Sequence, residues 1–417
     1  MKAMTICRSG IAAICAFLLG IGNANAQFTL LHSFGGEAAL WPRGDVTFIG
    51  DTLYGMTHRG GLDGQGIVFK MKNDGTGFGV LHNFNALTDG SEPHGSLVWD
   101  GFFLYGLTRY GGVPNNQGVV FKMDADGNNF SLLRELNVTD GVEPLGSLTL
   151  VGSTLYGMTS GGGANSHGTV FTVNTDGSDF QVLHDFTGGD GRSPLGSLTA
   201  VGSWLYGMTA AGGEYDRGIL FRMNRDGSAY TVLHEFNGDD GSSPQYGALL
   251  AAGSTLYGLT RSGGLNDKGT LFKINDDGTG YSVLYAFGNF HDAAEPYGSL
   301  TLVGSTLYGM TSGGGDAGRG TVFQVNTDGS GYALLHEFAG GDYDGQYPFG
   351  SLVLQGSTLY GMTQNGGAYG TGTLFSLAIP EPLTVGTLAL GALLLWSRRR
   401  HRGRSVRPAA GADGPSM

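Results

Sequence analysis

Cysteine is nearly missing from this chain. Its two copies, Cys7 and Cys15, both lie in the first 26 residues, and neither follows the small residue expected before a lipid-modified cysteine. The rest of the chain has no thiol, which excludes disulfides and cysteine-ligated metals there. Helical periodicity is also missing: between residues 27 and 379 no stretch repeats its apolar residues at the spacing of an amphipathic helix. Positive charge is scarce in the same region. Of 23 Lys and Arg, eight fall in residues 1–26 or 380–417, leaving 15; of 35 Asp and Glu, two fall there, leaving 33. A body carrying −18 repels phosphate backbones, so nucleic acid is not expected as a partner. No G-x-S-x-G, H-E-x-x-H or P-loop motif occurs. No catalytic residue, cofactor or metal is therefore assigned.

What is present begins with a leader. Lys2 and Arg8 precede an apolar run from Ile11 to Ile21, followed by Ala24-Asn25-Ala26. A charged start, a short apolar core and an A-x-A-like site describe a secretory signal peptide cleaved after Ala26. The run is too short to span a membrane comfortably.

Glycine is abundant, at 78 residues, and its placement is periodic. The pentapeptide LYGMT or LYGLT begins at Leu53, Leu104, Leu155, Leu205, Leu256, Leu307 and Leu359, with successive gaps of 51, 51, 50, 51, 51 and 52 residues. A GTVF-like element follows each copy, and in the first six units an FxVLHxF-like element follows that, as in FQVLHDF from Phe180. In the unit from Gly146 to Phe186, SLTLVG, TLYGMT, TVFTVN and FQVLHDF are β-branched and aromatic runs bounded by Gly, Asp, Asn and Ser. They read as four antiparallel strands, with Asp176-Gly177 as a hairpin turn. Along TLYGMT both faces are apolar or small, which suits a sheet packed between two others, and Gly157 is expected to admit a side chain from a neighbouring sheet.

Four-stranded units at a period near 50 residues are those of propeller blades. The expected fold is all-β: a seven-bladed β-propeller with kelch-like four-stranded blades over residues 27–379. Its ends support closure. The last unit stops at Ala378 without an LHEF-like strand, whereas a lone copy, FTLLHSF from Phe28 to Phe34, stands at the start. The first strand is thus expected to complete the last blade, removing free sheet edges. A linear β-solenoid, the alternative, needs no displaced strand and favours distinct capping units.

Beyond Ala378 the composition changes. Pro380-Glu381-Pro382 precedes an apolar stretch from Leu383 to Trp396 and a basic cluster that includes Arg398, Arg399 and Arg400. This is read as a short hydrophobic helix with positive residues staying inside. Its order over residues 380–404 resembles the PEP-CTERM sorting signal of Gram-negative bacteria, with residues 405–417 as a disordered tail. The resemblance implies an exosortase-type enzyme as partner, transient or permanent membrane contact, and delivery to the cell surface. The LYGMT, double-glycine and GTVF elements over residues 28–378 resemble the GloVer tandem-repeat proteins, which implies a surface protein without an established activity.

Candidate site residues come from departures from the repeat. The loops after LYGMT carry His58, Arg59, Arg109, Tyr110, Tyr215, Arg261 and Asn365 against a glycine-serine background. Loops on a rigid scaffold commonly carry recognition groups, and Tyr with Arg suits glycans or protein surfaces. The DADGNN and NDDGTG stretches from Asp124 and Asn275 look calcium-like but lack the alternating ligands and final glutamate, so they read as turns. His32, His82, His184, His234 and His336 share a position that holds Arg134 and Tyr285 in two other units, which indicates packing with no acid partner expected. A carboxylate–histidine pair at the channel mouth would mark an enzyme, with His58, His94, His167 and His291 as the histidines outside the repeat. The expected role is binding or structural, in the bacterial envelope or extracellular matrix. The alternative is a propeller hydrolase or lyase acting on extracellular polysaccharide.

Overall fold

A computed structural model describes residues 26–36, 39–288 and 291–379. The leader and the segment from Pro380 onward, including the sorting-signal residues, lie outside the described residues. Among the described residues there is no helix, and so none long and apolar enough to cross a membrane. The chain forms seven blades arranged as a propeller ring, each built on four antiparallel strands, and two of the sheets gain a short fifth strand, Ser91–Pro93 in one and Ala293–Pro296 in the other.

Blade 3 shows the plan. Thr149–Val151, Thr154–Thr159, Thr169–Asn174 and Gln181–Asp185 pair in sequence order. Gly152 takes φ 62° in the first turn and Gly177 φ 90° in the second, so both need a residue at ease in the left-handed region. Asp176 closes the second turn by accepting the Ser178 amide at 2.9 Å. Its counterparts Asp74 and Asp277 do the same for Thr76 and Thr279, which gives these aspartates a turn role.

The strand glycine behaves differently from expectation. Gly157 lies opposite Phe171 on the next strand of its own blade, and the Phe171 ring fills the space where a Cβ would project. Gly55, Gly106, Gly207, Gly258, Gly309 and Gly361 meet Phe69, Phe121, Phe221, Phe272, Phe323 and Phe375 in the same way. The intruding side chain belongs to the same sheet, because the register sets each glycine directly across from the phenylalanine. Blade-to-blade packing uses the neighbouring positions instead. Tyr156, Met158, Val170 and Phe186 of blade 3 pack on Leu198, Leu205, Ile219, Phe221 and Met223 of blade 4.

The ring closes through the first strand. Gln27–Ser33 pairs antiparallel with Thr373–Ala378, from Gln27 opposite Ala378 to Ser33 opposite Thr373. It forms the outer edge of blade 7, beyond Thr358–Thr363 and Val353–Gln355. Even its irregularity between Leu30 and His32 matches the bulge between Leu132 and Arg134 in the outer strand of blade 2. Phe34, fully buried, packs with Leu53, Ile67 and Phe69 of blade 1 and with Met362 and Leu374 of blade 7.

Candidate functional site

The seven copies of the glycine in GSL meet around the channel. Gly44, Gly95, Gly146, Gly196, Gly247, Gly298 and Gly350 each face the carbonyl oxygen of the next, and Gly350 faces that of Gly44. A methyl group on any of them would fall within 3.0 Å of that oxygen, so only glycine lets the blades come this close. Next to this ring the serines link blades: Ser147 Oγ accepts the Ser96 amide at 2.8 Å, and Ser197 Oγ accepts the Ser147 amide at 2.7 Å. Two positions break the pattern, Ala248 and Asp45. Asp45 accepts the Ser351 amide and closes the circuit. Its carboxyl sits in the neck, where loss of hydration raises its pKa above the ordinary value, partly offset by hydrogen bonds from Ser351 and Ser96. A cavity of about 30 Å³, with room for water, is lined by these glycines and serines together with Arg43, His94, Tyr246 and Phe349.

The residues just before these glycines form the mouth: Arg43, His94, Leu145, Leu195, Tyr246, Tyr297 and Phe349. They are unequal. The His94 ring lies 4.4 Å from that of Tyr246, three blades away, so the two reach across the channel. Tyr246 stacks on Tyr297 at 5.8 Å, Tyr297 meets Phe349 edge-on at 4.6 Å, and the Arg43 guanidinium lies 5.7 Å from the Phe349 ring centre. Blades 3 and 4 contribute only Leu145 and Leu195 to this circle.

A second circle precedes the prolines. Trp41, Glu92, Glu143, Ser193, Ser243, Glu295 and Tyr347 all take left-handed φ between 51° and 57°. Non-glycine residues adopt this region at a cost of about 1–2 kcal/mol each. Backbone hydrogen bonds hold them there, such as Glu92 N to Gln65 O at 2.8 Å and Ser193 N to His167 O at 2.9 Å. Each such residue, with its proline, carries the chain from the outer strand of one blade to the channel.

The loops after LYGMT supply the cations. Arg59 pairs with Glu92; Arg109 binds Glu143 Oε2 through Nη2 at 2.8 Å and lies 3.8 Å from Glu92. Arg261 lies 3.6 Å from Glu295 and 5.2 Å from the Tyr297 ring centre. His58 is 6% exposed, with Nε2 at 3.5 Å from Glu92 Oε2. Burial, together with the charges of Arg43, Arg59 and Arg109, lowers its pKa to about 3, so the ring is neutral. His94, 3% exposed, is also held well below the usual histidine range by burial. Its Nδ1 faces the Leu145 carbonyl at 3.0 Å, whereas Nε2 has no protein partner. His58 Nδ1 and Arg43 Nε are likewise buried without a partner.

Of the residues expected from the loops, His58, Arg59, Arg109 and Arg261 converge on the carboxylates around the mouth, and Tyr110 packs against the Arg109 guanidinium at 4.6 Å. Tyr215 instead points outward, 52% exposed. Asn365 pairs with Gln346 in a short ladder and turns its amide to the Gly370 carbonyl at 3.3 Å. Among the other histidines, His291 pairs with Asp316 on an exposed rim, and His167 lends its carbonyl to Ser193. Sequence reasoning passed over Arg43, Glu92, Glu143, Tyr246, Glu295, Tyr297 and Phe349. The available signal was variation immediately before Pro and before the GSL glycine, two slots that lie next to invariant backbone.

Four of the five repeated histidines do have acid partners, contrary to expectation. His82 Nε2 lies 3.0 Å from Asp89, His184 3.1 Å from Asp190, His234 2.9 Å from Asp240 and His336 3.0 Å from Asp344. Arg134 and Tyr285 bond Asp140 and Asp292 from the same position. Each ring also stacks on an aromatic residue of the next blade, as His184 does on Tyr230 at 3.8 Å, and His336 stacks on Phe28 at 3.8 Å across the closure. The acid was hidden in the sequence because it lies six to eight residues on, beyond a change of chain direction. These pairs tie blades together at the periphery. Among the described residues no cluster of histidine, cysteine or carboxylate side chains could hold a metal ion.

Solved structures similar to this chain match it at low identity. A candidate 6-phosphogluconolactonase of Bacteroides fragilis is 16% identical with TM-score 0.50, covering 79% of this chain and 93% of its own. A chain of the nidogen/laminin complex is 16% identical with TM-score 0.43, covering 66% and 91%. TolB of Acinetobacter baumannii is 12% identical with TM-score 0.41, covering 63% and 58%. At such identities nothing about activity is carried over. No curated protein matches. The model of the Gloeobacter/Verrucomicrobia repeat matches residues 6–217, 100–315 and 200–389, overlapping spans that include nearly the whole propeller, and the chain belongs to that repeat family.

Proposed function

We propose that this protein is exported, delivered to the bacterial cell surface and used there as a binding module, with the mouth of the channel as its recognition surface. One observation carries the reading: the strands repeat closely from blade to blade, whereas at the mouth Arg43, His94, Tyr246, Tyr297 and Phe349 replace one another at a single repeat position. Fixed scaffold with variable groups at one end is the arrangement that recognition uses. The leader and the Pro380–Arg404 segment supply the grounds for export and surface sorting by an exosortase-type enzyme. Extracellular glycan or protein is the ligand class that such a location offers.

The test is a screen of the intact protein against extracellular glycans and surface proteins, with a turnover assay on the same sugars. Binding lost on Tyr297→Ala or Arg109→Ala, with no product formed, is the expected result. Binding unaffected by either change would overturn the reading. The enzyme reading draws on the His58–Glu92 pair. A histidine with a pKa near 3 is a weak base at neutral pH, which favours a hydrogen-bonding role over proton abstraction. Product formation abolished by His58→Gln would reverse that preference.

A further inference from the structure

The closing strand, Gln27–Ser33, is seated like the six other outer strands but tied down less firmly. Each of the others reaches its sheet neighbour through a tight turn, as Gln181–Asp185 is joined to Thr169–Asn174 through Asp176-Gly177. So short a connection keeps the two strands together, because closing a small loop costs little entropy. Gln27–Ser33 pairs with Thr373–Ala378 without any such turn; Ser33 and Ala368, which meet across the seam, are 335 residues apart in the chain.

A second tie is missing as well. After each of the six other outer strands an aspartate stands four residues before the proline that leads to the channel: Asp89, Asp140, Asp190, Asp240, Asp292 and Asp344. Its carboxylate folds back onto the strand. Asp190 accepts the Thr187 amide at 2.7 Å and meets His184 Nε2 at 3.1 Å, and Asp344 accepts the Ala339 amide at 2.8 Å and meets His336 Nε2 at 3.0 Å. The sequence after the closing strand has Ala38 at this place, four before Pro42, and a methyl group accepts no hydrogen bond. Hydrogen bonds to a carboxylate are among the stronger ones, and one fewer shifts the balance from docked to open strand by about tenfold.

The seat itself is selective. Phe28 stacks on His336 of blade 6 at 3.8 Å and lies 5.3 Å from the Phe375 ring of its own sheet. Ser33 Oγ accepts the Ala368 amide at 3.2 Å, as Asp185 accepts that of Ala164 in blade 3 at 2.8 Å. Thr371 Oγ1 donates to the Phe34 carbonyl at 2.8 Å, and the Phe34 ring is fully buried between blades 1 and 7. A segment that fills this edge needs an aromatic residue, a hydrogen-bond acceptor five residues on and then a phenylalanine. The first strand of another copy of this chain meets all three needs, whereas the other outer strands of that copy are held by their own turns and aspartates.

We infer that copies of this protein exchange their first strands, Gln27–Ser33 of one chain completing blade 7 of a second. The contacts given up in one ring are regained in the other, which makes exchange of an identical element a low-cost route to a dimer. The edge of Thr373–Ala378 is thus an interaction surface whose partner is a second copy of the chain. Gly35-Gly36, directly after Phe34, gives the connection to blade 1 the backbone freedom that such an exchange requires.

The experiment traps the exchange as a disulfide in the full chain, with Cys7 and Cys15 changed to serine. One preparation carries Thr29→Cys and another Ser376→Cys, at positions directly opposite each other in the seam. The two are mixed, held just below the melting temperature so that strands open, cooled and oxidised, and chains linked in pairs are counted on a non-reducing gel. The control is the equivalent pair in blade 3, Gln181→Cys and Thr172→Cys, which face each other across a strand held by both ties and report association by any other route. The seam pair is expected to give about tenfold more linked dimer than the control. Ala38→Asp, which restores the carboxylate, is expected to lower the seam yield severalfold, and Asp190→Ala to raise the control yield; melting temperatures confirm that the variants fold. Equal yields from the two pairs, a seam yield indifferent to Ala38→Asp, or one raised by Glu37→Gln, which would make that neighbouring carboxylate the tie, overturns the inference.

Discussion

Phe34 is where the closure can be weighed. It is the copy, in the displaced strand, of a buried aromatic that blade 3 supplies as Phe186. The two are matched in burial, both at 0% exposure. Phe34 meets Phe69 edge-on at 5.2 Å, and Phe186 meets Phe221 in the same way at 5.5 Å. Their backbones are matched too: Phe34 N donates to Gly372 O at 2.9 Å and Phe186 N to Gly168 O at 3.1 Å. Truncating a buried phenylalanine to alanine costs about 3–5 kcal/mol. Phe186→Ala and Phe34→Ala should therefore lower stability by similar amounts in urea titrations followed by tyrosine and tryptophan fluorescence. The comparison matters more than either value, because the contacts of Phe34 form only if the start of the chain is docked on the end. A Phe34→Ala protein within about 0.5 kcal/mol of the parent, beside a Phe186→Ala protein that loses about 3 kcal/mol or more, would refute the argument that the closing strand bears load like any other.

Two other expectations concern the blades. Gly157→Ala drives a methyl group into the Phe171 ring and should cost about 1–3 kcal/mol, seen as a lower melting temperature, whereas Gly152→Ala in the open turn meets no neighbour and carries only the strain of alanine in the left-handed region, about 1–2 kcal/mol. Burial lowers the pKa of His184 and His234 below 6.5 against the opposing pull of Asp190 and Asp240, and lowers His58 to about 3. The unfolded chain then binds more protons below pH 6.5, so the stability these groups contribute is complete above 6.5 and is lost as pH falls toward their folded values. Melting temperature should fall on acidification from pH 7.5 to 5, and His184→Phe with His234→Phe should flatten that part of the curve; an unchanged slope would contradict the assignment.

Much of the fold was legible because it is written seven times. LYGMT and GTVF marked the strands, and the missing last strand after Ala378 pointed to Phe28–Phe34. The glycine of LYGMT was read correctly as a close approach but assigned to the wrong partner. Its neighbour is fixed by the register to Phe171, a relation that strand spacing alone does not give. The site was half legible. His58, Arg59, Arg109 and Arg261 stood out because a charged residue in a glycine-serine loop is conspicuous. Arg43, Tyr246, Tyr297 and Phe349 did not, since they precede a glycine whose convergence with six others appears only when the ring is assembled. The left-handed turn at Glu92, Glu143 and Glu295 was equally hidden, because a residue before proline ordinarily prefers an extended backbone.

The borrowed outer strand of blade 7 also constrains how the molecule comes into being. Gln27–Ser33 is the first of these strands to be synthesised, yet its hydrogen-bonding partner, Thr373–Ala378, is the last. Six blades can assemble while it waits unpaired. A chain that halts before Thr373 leaves that first segment without its hydrogen-bonding partner, so closure of the ring waits for the last strand of the propeller.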